Sequence, residues 1–148
     1  MKFNIFTLIV VLTSFAACTN NKNQEVEISE TIITEWARPA VKGAMSGAYL
    51  QYTNALDVAD TIVAVSSDVG MMTQIHETYT TEDGLSGMRE MKNISVEPSE
   101  QLILERGGLH VMLMNLKKNI AEGDSITISL TFKYAGVVDI KMPVLSSN

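Results

Sequence analysis

Leu109-His110-Val111-Met112-Leu113-Met114-Asn115-Leu116 alternates two kinds of side chain. In an extended chain successive side chains point to opposite faces. Leu109, Val111 and Leu113 then share one face, and His110, Met112 and Met114 the other. A period of two with one aliphatic face predicts a half-buried β-strand over Leu109–Leu116. The aliphatic set should face a core, leaving the His-Met-Met set outward or in a shallow cleft.

The same reading spreads outward along the chain. Ser125–Phe132 has an equally clean period of two. Further runs rich in β-formers fall at Val26–Trp36, Ala48–Thr53, Asp60–Ser66, Met72–Tyr79, Gly87–Lys92, Gln101–Leu104 and Val137–Val144. Asp83-Gly84, Gly107-Gly108, Glu122-Gly123-Asp124 and Ala135-Gly136 mark turns between them. About eight or nine short strands with this punctuation predict an all-β fold, a β-sandwich or Greek-key barrel. No segment has the length and 3.6-residue period of an amphipathic helix, and Asn115–Ala121 is expected to form one helical turn at most.

The ends are of a different character. Lys2 precedes an apolar run, Phe3–Ala17, that is shorter than the ~20 residues of a spanning helix. A charged start, an apolar middle and the small residues Ala16-Ala17 read as a secretory signal over residues 1–17. Cys18 follows at once and is the single cysteine of the chain. Its setting resembles a bacterial lipobox, with Phe15 where Leu is usual. Cys18 is therefore expected to carry a lipid, as residue one of the mature protein. Residues 18–25 form the lipidated cysteine and a polar tether, and residues 26–146 the folded domain. Such a chain would sit in the bacterial cell envelope, held to a membrane by its anchor and facing the periplasm.

Removing Lys2 from the 11 basic residues leaves 10, against 17 acidic ones, a mature net charge of −7. No basic stripe is present, so nucleic acid is excluded as an expected partner. One mature domain of 131 residues is enough to bury a single core.

The chemistry gathers in the middle of the chain. His76 and His110 are the only two histidines, and six of the nine methionines lie between Met71 and Met114. Thioether sulfur is soft and neutral and imidazole borderline, so a mixed site of the two selects Cu(I) over Mg, Ca or Mn. His110 and Met112 are a pair on one strand face. His76 lies late in its strand and Met88 just past the Glu82–Gly87 turn, so a hairpin would bring the second pair back to the first. Met114 shares the face of Met112. Met91 has the opposite parity and reads as core or reserve ligand, Met71 and Met72 as a shield beside the site, and Met142 as core. Met45 carries no spacing signal.

The full spacing is His76, Glu77, ten residues, Met88, twenty-one residues, His110, Val111, Met112. It resembles the His-(Met)-x10-Met-x21-His-x-Met signature of the periplasmic copper chaperones called PCuAC proteins, with Glu77 at the bracketed position. Trp36-Ala37-Arg38-Pro39, Gly47-Ala48-Tyr49, Asp60-Thr61-Ile62-Val63, Gly107-Gly108-Leu109-His110 and Met142-Pro143-Val144 are similar to that family as well. The resemblance runs over about residues 26–144. It implies a cupredoxin-like barrel that binds one Cu(I) near its surface through His76, Met88, His110 and Met112. It also implies a monomeric carrier that passes copper to an acceptor protein, such as a cytochrome oxidase subunit, with a thioredoxin-fold assembly protein as collaborator.

Other readings of the residues differ in what they require. A blue-copper electron carrier needs a cysteine thiolate in the domain, and Cys18 precedes it. A non-metal, immunoglobulin-like binding module of a surface lipoprotein fits the strand pattern equally well and differs only in leaving the ligand set unused. For an enzyme, no nucleophile–histidine–carboxylate arrangement stands out, and His76 and Glu77, as strand neighbours, point to opposite faces.

Overall fold

The β-branched and aliphatic runs extend because their side chains pack well on a pleated, half-buried surface. The computed structural model describes residues 34–146. The leader, Cys18, the tether and most of the Val26–Trp36 run lie outside these residues. Ten strands are present: β1 Trp36–Ala37, β2 Ser46–Thr53, β3 Asp60–Ser67, β4 Gly70–Thr80, β5 Ser86–Met91, β6 Ile94–Val96, β7 Gln101–Leu104, β8 Leu109–Leu116, β9 Ser125–Phe132 and β10 Val137–Pro143. Among the described residues there is no helix, within the limit of one turn at most expected for Asn115–Ala121. That segment instead forms an isolated antiparallel bridge from Ile120 to Ala40.

Two antiparallel sheets carry the fold. The first has the order β1-β2-β8-β4-β5, and β7 also pairs with β2; the second has the order β10-β9-β3-β6. β8 and β7 meet successive stretches of β2, with Ala48 opposite Val111 and Leu50 opposite Leu104. Between them Glu105–Gly108 loops out, closed by a hydrogen bond from the Glu105 N–H to the Leu109 carbonyl at 2.6 Å. Gly107 supplies the positive φ of 80° that this turn requires.

The expected aliphatic face of β8 is confirmed where it matters. Val111 and Leu113 are fully buried and join Leu50, Val69, Ile75 and Leu104 in the core. Leu130, Ile128, Ile126 and Met142 come from the second sheet. Asn115, at φ 50°, breaks the alternation, so Leu116 turns into the core although simple parity would place it with Met114.

β6 was missed from the sequence because three residues are too few to show a period. It crosses to the second sheet, pairing with Asp60–Ile62, and Asn93 at φ 53° makes the turn from β5. Asp60 anchors this region. Its buried carboxylate accepts from the N–H groups of Thr61 (2.7 Å), Tyr134 (3.0 Å) and Ala135 (2.8 Å). Burial alone would raise the Asp60 carboxyl. The backbone donors, Ala135 and Tyr134 first, outweigh it and hold the group below the usual carboxylate range.

Candidate metal centre

β4 lies between β8 and β5, and its register decides which side chains meet. His76 is directly opposite His110 on β8 and opposite Glu90 on β5. Gln74 faces Met112, and Thr78 faces Met88. Cross-strand partners in an antiparallel sheet share a face. His76, Met88, His110 and Met112 therefore all project from the outer face of the first sheet, opposite the face that carries Val111 and Leu113. The sequence placed the donors on two elements; the structure distributes them over three strands.

The two imidazoles form the centre of this patch. Their ring centroids are 6.2 Å apart with planes inclined at 65°. His110 is only 6% exposed, so it forms the floor of a cleft instead of an outward surface. Its Nδ1 donates to the Gly108 carbonyl at 3.1 Å, which leaves Nε2 with a free lone pair. His76 is held the other way round. Its Nε2 donates to the Gln74 amide oxygen at 3.0 Å, and its Nδ1 is buried with no hydrogen-bond partner among the described residues. A buried acceptor left unpaired is costly unless something completes it. Fixing one ring nitrogen by a carbonyl-type acceptor while the other stays free is the arrangement typical of metal-binding histidines.

Burial first, and the neighbouring His110 second, push the His76 imidazole below its ordinary value, with Glu90 opposing them. Lowering favours the neutral, ligating form.

Met88, His110 and Met112 line one cavity of about 210 Å³, together with Arg38, Tyr49, Thr78 and Arg106. Met88 is 58% exposed at its rim. It is displaced two residue pairs along β5 from the level of His76, which does not itself line this cavity, so gathering all four side chains requires side-chain rotation. Tyr49, in the cavity lining, packs against Trp36 with ring centroids 4.7 Å apart. The Arg106 guanidinium lies 5.1 Å from the Trp36 ring centre, a cation–π contact. Gln74, Gly108, Arg38 and Arg106 were not singled out from the sequence. Gln74 was recoverable, since it sits two residues before His76 on the same strand face; the arginines come from loops whose placement no periodicity reports.

Two neutral imidazoles and two thioethers suit a soft monovalent cation, and the absence of a thiolate keeps it exchangeable. Among the described residues no group of three His, Cys, Asp or Glu side chains could hold a harder ion.

The fold is cupredoxin-like, the architecture of PCuAC domains. A copper-bound PCuAC domain from PmoF2 aligns with TM-score 0.62 and 23% identity, over 78% of this chain and 91% of that one. An apo PCuAC domain from PmoF1 aligns with TM-score 0.61 and 24% identity, over 78% and 92%. The solution structure of CuI-DR1885 from Deinococcus radiodurans aligns with TM-score 0.57 and 23% identity, over 79% and 80%. At the level of family, the model described as "Putative lipoprotein LpqE-like" matches residues 30–144, and the chain belongs to that family. A curated relative, "Putative lipoprotein Lxx21020" of Leifsonia xyli subsp. xyli, is 30% identical over 110 residues. That match covers 74% of this chain and 65% of the relative's own length.

Proposed function

We propose that this chain is an extracytoplasmic Cu(I) carrier, anchored through Cys18, that binds one ion through His76, Met88, His110 and Met112 and delivers it to an acceptor protein. The observation that carries the reading is the His76–His110 pair, in register across β4 and β8, with a buried, unpartnered Nδ1 on one ring. The copper named in the related PCuAC structures supports it.

Each donor has a distinct part. His110 forms the floor, oriented by the Gly108 carbonyl. His76 supplies the second imidazole, oriented by Gln74. Met112, beside His110 on β8, and Met88, at the rim, complete a neutral soft set. Copper is cargo here, so the site must release as well as bind. The exposed Met88 thioether is the donor an incoming acceptor ligand displaces first. The acceptors that suit this role are copper centres of cytochrome oxidase subunits, met in the envelope with a thioredoxin-fold assembly protein as collaborator.

The test is a competition titration with a Cu(I)-selective chelator, followed by transfer to a purified oxidase copper domain. The expected result is one tight equivalent, weakened strongly in His110→Ala and in Met112→Ala with the fold intact, and passed on to the acceptor. Unchanged affinity in both variants would overturn the ligand assignment.

A further inference from the structure

The outer face of the first sheet holds more thioethers than one ion needs. Met72 and Met114 are direct partners across β4 and β8. Ser46 pairs with Leu113, so Met45, one residue earlier, comes level with Met114 on the line of β2. The Leu116 N–H donates to the Ala44 carbonyl at 3.1 Å and holds the two chains together just beyond this point. The three methionines thus form one transverse row over three neighbouring chain segments.

They also share a face. Met114 has the parity of Met112 and His110. Met72 is its cross-strand partner and points the same way. Met45 lines a cavity of about 230 Å³ with Met112, Gly47 and Arg38, which puts it on that surface too. Neighbouring segments in a sheet lie about 4.8 Å apart. Methionine's three rotatable side-chain bonds let sulfurs at that spacing turn toward a common point. Met45 is 66% and Met72 54% exposed, with Met114 half-buried between them. Core packing accounts for none of this exposure.

We propose that Met45, Met72 and Met114 form a second site, built of thioethers alone, for a soft monovalent cation such as Cu(I) or Ag(I). It lies about 13 Å along β8 from the His110 level, four residues at strand rise. Met112 stands one step from each and borders both. Three neutral sulfur donors disfavour Mg, Ca and Mn and favour soft ions. With no imidazole and one fewer donor, this site binds more weakly than the His-Met centre. It extends the copper reading but uses separate donors, and the two can fail independently.

The experiment labels the methionine ε-methyl groups with 13C in the full chain and titrates with Ag(I), which needs no protection from oxidation. The first equivalent is expected to move Met88 and Met112, and the second Met45, Met72 and Met114. The Met45→Leu/Met72→Leu/Met114→Leu variant should keep the first response and lose the second equivalent. In His76→Ala/His110→Ala the row of three should still respond. Stationary Met45, Met72 and Met114 methyls beyond two equivalents, or a second equivalent retained in the triple leucine variant, overturns the second site. Movement of the row with no movement of Met88 or Met112 supports it while overturning the His-Met reading.

Discussion

Gln74 offers no soft donor of its own, yet its loss should be felt in copper affinity. Its amide oxygen takes the Nε2–H of His76 at 3.0 Å, which fixes the ring and keeps the lone pair on Nδ1. Gln74→Leu keeps the side chain's bulk and removes the acceptor. His76 is then free to rotate and to exchange tautomers, and the ligating form must be selected at each binding event. Outer-shell partners of ligating histidines are worth about 10–100-fold in metal affinity, which converts to about 1.4–2.8 kcal/mol. The cost to folding is smaller, about 0.5–1.5 kcal/mol for one half-buried hydrogen bond. Affinity is read by competition against a Cu(I) chelator at pH 7.5, and stability by urea unfolding of the apo protein. Gln74→Glu provides the contrast. It retains an acceptor, so affinity at pH 7.5 should stay near the parent's. Its charge raises the His76 pKa, so affinity should fall more steeply on acidification. A Gln74→Leu protein that binds Cu(I) within threefold of the parent, while His76→Ala binds weakly, would refute the orienting role.

Acid should weaken the apo fold in two steps. His76 has a lowered folded pKa, so the unfolded chain protonates first. Stability is then full above about pH 6.5 and is lost as pH falls through the lowered folded value. Asp60 is also lowered, and its contribution persists above about pH 4 and is lost as pH falls further. Thermal melts from pH 7.5 to 3 should show both declines, and His76→Phe should remove the first; an unchanged first decline in that variant contradicts the assignment. Asp60→Ala leaves the Thr61, Tyr134 and Ala135 donors without their acceptor, so its melting temperature should drop at pH 7. Leu113→Ala empties a fully buried position at a cost of about 2–5 kcal/mol, measured by urea unfolding. Met112→Leu, on the opposite face of the same strand, should cost under about 1.5 kcal/mol yet weaken Cu(I) binding.

The strands legible in the sequence were those whose two faces differ in chemistry. Ser125–Phe132 and Leu109–Leu116 have the bounds their alternation predicts, because a one-residue slip would put leucine in water and polar groups in the core. β6 stayed hidden because its position is set by pairing with β3, a long-range contact that three residues cannot encode alone. Asn115 is similar. Its left-handed backbone reverses the parity of Leu116 through the local chain path, and side-chain type does not announce it. The four proposed donors were legible as residue types and as a hairpin pairing. Their exact level was not: Met88 falls opposite Thr78, two pairs away from His76, because the length of the β4–β5 hairpin sets that register.

The division of labour between the two faces of β8 explains why such a site can be carried at modest cost. Val111 and Leu113 fasten the strand through the core, so the positions on the other face are free to hold chemistry. A surface methionine forgoes the burial that would stabilise it in a core, by an amount on the order of 1.5–3 kcal/mol for the whole side chain. His76 adds the penalty of a buried, unpaired nitrogen. Both costs are relieved when a soft cation draws the thioethers together and completes the imidazole. Metal binding and ordering of this face are therefore linked, and occupancy should raise the melting temperature in proportion to the logarithm of free ion. On the proposed carrier reading the same linkage would run in reverse at release, because an acceptor would have to supply donors soft enough to replace both the thioethers and the two nitrogens. Hard oxygen ligands cannot do so. That restricts productive exchange to partners presenting sulfur or imidazole at the Met88 rim.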